Sequence, residues 1–134
     1  MIHFDSQPTD IDPQQVIAGL EHVRRHHDSQ TLLEMMETIS GEKAVVWDEQ
    51  TIGFGQYHYI YKTGREGSWP LMAFTPSREN ISIHIMKGFN DHKDLLARIG
   101  KLKSTETSII LHKFSDINLQ ALKKFLTAVY DDQK

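Results

Sequence analysis

The spacing of apolar residues changes period along this chain, and those changes decide what it can become. Before Ala44 apolar residues recur three and four apart: Val16, Leu20 and Val23 share a stripe that His27 extends, and Leu32, Leu33, Met36 and Ile39 follow. That is the period of helices with one face on a core. From Ala44 to Met86 the residues are instead aromatic and β-branched, in runs broken by Gly and Pro, as in strands. Helical spacing returns at Leu95, Leu96 and Ile99, a strand-like run spans Thr107 to Phe114, and Leu119, Leu122, Phe125, Leu126 and Val129 form a last amphipathic stripe. The order predicts an α+β two-layer sandwich: a mainly antiparallel sheet of about five strands, with N-terminal helices, an inserted helix and a C-terminal helix.

The punctuation sets expected boundaries. Asp12 suits an N-cap with Pro13 at the first helical position, and Ser40-Gly41 stops a second helix running from about Gln30 to Ile39. Strands are expected near Val45 to Trp47, Thr51 to Lys62, Leu71 to Thr75 and Ile81 to Met86. Residues 62–68 and 75–80 join successive strands over hairpin distances, so the sheet reads as antiparallel. Asn90 is expected to cap the helix that Gly100 ends. There is no internal repeat or linker, and residues 1–134 read as one domain after a polar leader at 1–12.

Composition narrows the function classes. The 134 residues carry 15 Lys and Arg against 18 Asp and Glu, for a formal charge of −3, so nucleic acid meets no broad basic footprint. No apolar run approaches the roughly 20 residues that cross a bilayer. With no Cys, disulfide scaffolds and thiol nucleophiles are excluded. Met1 to Gln15 lacks a basic start followed by an apolar stretch, so it does not read as a secretory signal, and the cytoplasm is the expected compartment. No nucleophile elbow, phosphate-binding Walker loop, dinucleotide fingerprint or His-Glu-x-x-His helix is present, so the expectation leans away from an enzyme.

Two segments concentrate residues able to hold a ligand. In Gly64-Arg65-Glu66-Gly67 with Trp69, glycines let the backbone approach a ligand and Arg65 offers a planar fork of donors for a carboxylate or phosphate. The same loop also reads as a hairpin whose Arg and Glu pair with each other. In Gln56 to Tyr61, alternation sends Tyr57, Tyr59 and Tyr61 to one face and His58 to the other. If His58 and His84 share a face on adjacent strands, they make a polar pocket with Arg65, Arg78 and Trp69 at its rim. The alternative is that the aromatics fill a packed layer and each His bonds a carbonyl. His22 and His26 stand four apart on a helical face near Glu21 and Asp28, but two imidazoles do not complete a metal site. An acid–base pair of Glu66 and His58 would need a water-excluding cleft.

The segment Ile52-Gly53-Phe54-Gly55-Gln56-Tyr57-His58-Tyr59, then Gly64-Arg65-Glu66-Gly67-Ser68-Trp69-Pro70, resembles the signature of the YdhG-like domain of unknown function, a family of small bacterial proteins. The likeness continues through Phe74-Thr75-Pro76, Ile85-Met86, Gly88-Phe89, Leu95-Leu96 and Gly100-Lys101. Where relatives carry Gly-Lys-Ser-Cys, Thr105 to Ser108 stand here. The resemblance implies a compact α+β domain, similar to frataxin in some relatives, with an iron-chaperone role proposed for one. An iron role would require an exposed carboxylate ridge. Glu21, Asp28, Glu34, Glu37, Asp48 and Glu49 are its candidates, interrupted by Arg24, Arg25 and Lys43. The expected function is therefore a non-catalytic cytoplasmic binding domain for a small polar or anionic ligand, with no resident cofactor. Arg65 and Arg78 are its anion contacts, His58 its hydrogen-bonding switch, Glu66 and His84 further ligand-binding residues, and Trp69 and Tyr59 its walls. The alternatives are a frataxin-like iron-binding chaperone and a protein-interaction module without ligand.

Overall fold

Asp12 starts the first helix as its residue type predicts. Its carboxylate accepts from the Gln14 amide at 2.9 Å, and Pro13 occupies the first turn. The computed structural model describes residues 8–60, 62–64 and 66–133, without the side chain of Tyr59. Helix α1 (Pro13–Ala18) ends at Gly19, and α2 (Val23–Ser40) follows. The expected stripe through Val16, Leu20 and Val23 is therefore broken. Gly disfavours helix interiors, the chain turns at Gly19, and Val23 lands 84% exposed while Ile17 is the residue α1 buries. Helix α2 begins seven residues before the expected Gln30, because nothing from Arg24 to Ser29 stops it, and it ends at Gly41 with φ 68°.

Among the described residues eight strands follow the helical start: β1 (Val45–Trp47), β2 (Thr51–Phe54), β3 (Tyr57–Ile60), β4 (Glu66–Trp69), β5 (Met72–Pro76), β6 (Ile81–Ile85), β7 (Lys103–Ser104) and β8 (Ser108–Leu111). Six of them form one antiparallel sheet in the order β1-β2-β5-β6-β8-β7, and β3 pairs with β4 in a separate ribbon. The expected strand from Thr51 to Lys62 is thus two strands. Gly55, at φ 73°, turns the chain out of the sheet, and β4 lies where a loop was expected. After β6 a short 3-10 turn at Asn90–His92 leads into α3 (Lys93–Ala97), and α4 (Leu119–Gln133) closes the described chain. Asn118 caps α4, its side-chain oxygen accepting from the Ala121 amide at 3.1 Å.

One sheet face carries Val46, Ile52, Phe54, Phe74, Ile83 and Ile109, and these bury against Ile17, Leu32 and Met36 of α1 and α2 and Leu122, Phe125 and Val129 of α4. The result is the expected two-layer α+β arrangement, its main sheet of six strands where about five were expected. The polar leader is not wholly separate from the domain: Pro8 bridges to Trp47, and both the amide and the hydroxyl of Thr9 donate to the Val46 carbonyl, at 2.9 and 2.8 Å. On the other face the ribbon folds over β1 and β2. Trp69 meets Trp47 with ring centroids 6.0 Å apart, beside Val45, Tyr57 and Met86. Among the described residues no helix is long and apolar enough to cross a membrane.

Candidate functional site

The turn Ser77-Arg78-Glu79-Asn80 joins β5 to β6 and is closed internally. The Ser77 amide donates to the Asn80 carbonyl at 2.8 Å, and the Ser77 hydroxyl donates to that same oxygen at 2.9 Å. This leaves Arg78 on its exposed tip. Across from it, Arg25 in the first turn of α2 donates through Nη1 to the His112 carbonyl at 2.6 Å, while His112 Nδ1 lies 3.3 Å from the Glu79 carbonyl. The chain Arg25, His112, Glu79 therefore ties the start of α2 to the end of β8 and to the turn bearing Arg78.

Arg25 and Arg78 line one cleft of about 500 Å³, with Glu21, His22, Gln50 and Ser77 also in its wall. Gln50 is held by its side-chain amide, which donates to the Pro76 carbonyl at 2.6 Å. Helix α2 begins in this cleft with no side-chain cap from His22 and no acidic residue in its first turn. The amides of Val23, Arg24 and Arg25 have no carbonyl one turn earlier to bond, and the dipole of the helix makes this end positive. The buried Nε of Arg25 also has no hydrogen-bond partner among the described residues. Two guanidiniums and a bare helix start face one carboxylate, that of Glu21, so the hollow favours an anion that also carries a donor.

The described residues expected to share a pocket with His58 lie apart. Arg65 and the Tyr59 side chain lie outside the described part. His58 and Glu66 sit on the ribbon, His58 Nδ1 3.2 Å from the Ser68 hydroxyl and Nε2 3.8 Å from the Glu66 carboxylate. Both side chains are more than half exposed, so the pair is a solvated contact rather than an acid–base couple in a closed cleft. Trp69, 7% exposed, packs the ribbon onto the sheet instead of walling an open hollow. His84 lies in the six-stranded sheet and His58 in the ribbon, so the two imidazoles are not on adjacent strands. Among the described members of the expected set, Arg78 alone lines the cleft of Arg25.

His84 instead belongs to a polar stripe across the sheet face opposite the helices. Thr51 and Thr75 hydroxyls are 2.8 Å apart, Thr75 Oγ1 is 3.1 Å from His84 Nε2, and His84 Nδ1 is 3.2 Å from the Ser108 hydroxyl. Hydroxyls both donate and accept, so the stripe satisfies a neutral or a protonated imidazole by reorienting protons. Alternation with Ile83 and Ile85 places His84 on this face in the sequence. Its partners were not legible, because they depend on cross-strand register: Ser108 lies directly opposite His84, and Thr75 diagonally. In the sequence Arg25 stands out only as one of the cations interrupting the candidate carboxylate ridge, because its sharing a cleft with Arg78 arises from tertiary structure.

Among the described residues no three His, Asp or Glu side chains group so as to hold a metal ion. No family model matches the chain, and neither a curated protein nor a solved structure matches it significantly.

Proposed function

We propose that this domain binds a small polar anion, bearing a carboxylate or phosphate, without transforming it. The observation that carries the reading is the convergence of Arg25 and Arg78, far apart in the chain, on one cleft at the uncapped start of an 18-residue helix. A dianionic head would accept from the Arg78 guanidinium and from the first-turn amides of α2, while Glu21 accepts from a hydroxyl or amine on the same molecule. The Arg25 side chain is held by His112 and the backbone at Arg78 by the Ser77–Asn80 turn before a ligand arrives, which lowers the ordering cost of binding. The YdhG-like resemblance and a cytoplasmic location belong to this proposal.

Titration with inorganic phosphate and with citrate, followed by amide chemical shifts, tests it. Both anions are expected to move the amides of Gly19 to Arg25 and of Ser77 and Arg78, more strongly at low salt. Arg78→Ala is expected to weaken binding about tenfold or more, the worth of one charge-assisted hydrogen bond of roughly 1.5–3 kcal/mol. Anions that leave those amides unmoved, or an unaffected Arg78→Ala variant, defeat the reading. A parallel Fe(II) titration addresses the iron-chaperone alternative.

A further inference from the structure

We propose a second, independent binding site: the cleft beyond the C-terminal end of β6 takes a short zwitterionic peptide with apolar side chains. This cleft is the larger of the two, about 880 Å³, and lies between the loop 87–90, α3 and the turn joining β7 to β8. Its walls are seated on backbone. Gly88, at φ 76°, lies so close to the Glu106 carbonyl oxygen that a Cβ there would stand 2.9 Å from it, and Gly100, at φ 130°, approaches the Asp116 carbonyl oxygen equally closely. Glu106 itself lines the cleft, so a side chain at Gly88 would force two of its walls apart, while Gly100 packs the end of its wall against Asp116 outside the cleft.

The chemistry of the lining selects the ligand. Leu96, Ala97 and Leu102 give an apolar wall. Lys93 on α3 supplies an ammonium and Glu106 on the β7–β8 turn a carboxylate, and among the described residues no ion pair joins the two. The other cation in the lining, Lys87, is already engaged. Its Nζ is 3.5 Å from the Gln133 carbonyl and 5.1 Å over the Tyr57 ring. One open positive and one open negative charge in a cleft with apolar lining match a molecule carrying both a carboxylate and an ammonium, rather than a simple anion.

Size and backbone point to a peptide. The volume lies toward the upper end of the roughly 300–1,000 Å³ that encloses a drug-sized ligand, more than one amino acid fills. Ser104 in the lining belongs to β7, the two-residue edge strand, which pairs with β8 alone among the described residues. Its outer edge offers main-chain groups to an added extended segment. This cleft shares no lining residue with that of Arg25 and Arg78, so either site can fail without the other.

The experiment uses the tripeptide Leu-Gly-Leu and its N-acetyl and C-amide forms, followed by amide shifts and calorimetry. The free tripeptide is expected to move amides within 87–97 and 102–107, and blocking either terminus to weaken it about tenfold. Lys93→Gln is expected to make the free acid and the amide bind alike, and Glu106→Gln to make the free amine and the acetyl form bind alike. Both exposed substitutions should leave phosphate binding near Arg78 intact. Unmoved amides, blocked peptides that bind as well as the free one, or variants that still discriminate the termini each overturn the proposal.

Discussion

Tyr130 and Gln133, near the end of α4, show how single side chains lock this fold. Gln133 is 4% exposed. Its Oε1 accepts from the Lys87 amide at 2.7 Å, and its Nε2 donates to the Leu71 carbonyl at 3.0 Å, so one carboxamide fastens α4 both to the entry of β5 and to the loop leaving β6. The phenol of Tyr130 is held above the usual value of about 10, first by burial and then by the nearby Glu42 carboxylate. Below pH 10 the native and unfolded chains both keep this proton, and the stability it confers is complete. As pH rises past 10 the unfolded chain releases the proton first, so stability falls until the native phenol also titrates. Urea unfolding at stepped pH is expected to show midpoints dropping above about pH 10, and Tyr130→Phe to flatten that drop whatever its effect at neutral pH. An equally steep decline in the variant would assign it to other groups.

At the level of elements, what could be read from the sequence follows from how local each signal is. The cap at Asp12, the stop at Gly41 and the closing helix from Leu119 rest on neighbouring residues, and they stand where the sequence predicts. The ribbon does not, because its departure from the sheet depends on a close approach that only the folded chain creates. Gly53 lies mid-strand in β2, paired with Val45 and Ala73, where a glycine ordinarily weakens a strand. Here it makes room: a Cβ would stand 2.6 Å from Pro70 Cβ and 2.9 Å from the Trp47 ring. The expected adjacency of His58 and His84 is lost for the same reason, since the ribbon containing His58 leaves the sheet containing His84. Gly53→Ala is expected to cost about 1–3 kcal/mol by overpacking and to shift tryptophan emission as Trp47 and Trp69 separate. Gly41→Ala has open space for its methyl group and strains only the backbone at φ 68°. It is expected to cost about 1–2 kcal/mol with emission unchanged. Identical spectra for the two variants would refute the packing role of Gly53.

Across the whole molecule, β6 is the axis on which the two clefts are arranged. The Ser77–Asn80 turn enters it and carries Arg78, while Lys87 to Asn90 leave it and border the larger cleft. Five extended residues separate these ends by roughly 17 Å. That is beyond the distance at which perturbations without shared partners interact, and the strand lies mid-sheet between β5 and β8, so neither ligand has an evident hinge to move. Phosphate and the tripeptide should therefore stabilise the protein independently. At about 100 times its dissociation constant each adds about 2.7 kcal/mol, and for a chain of this length each kcal/mol raises the melting temperature by about 3–5 °C. Thermal unfolding with both ligands present is expected to give the sum of the two shifts, with Arg78→Ala removing only the phosphate increment and Lys93→Gln mainly reducing the peptide increment. A combined shift well below the sum, in either variant or in the native chain, would mean that the clefts compete or that the sheet transmits strain between them.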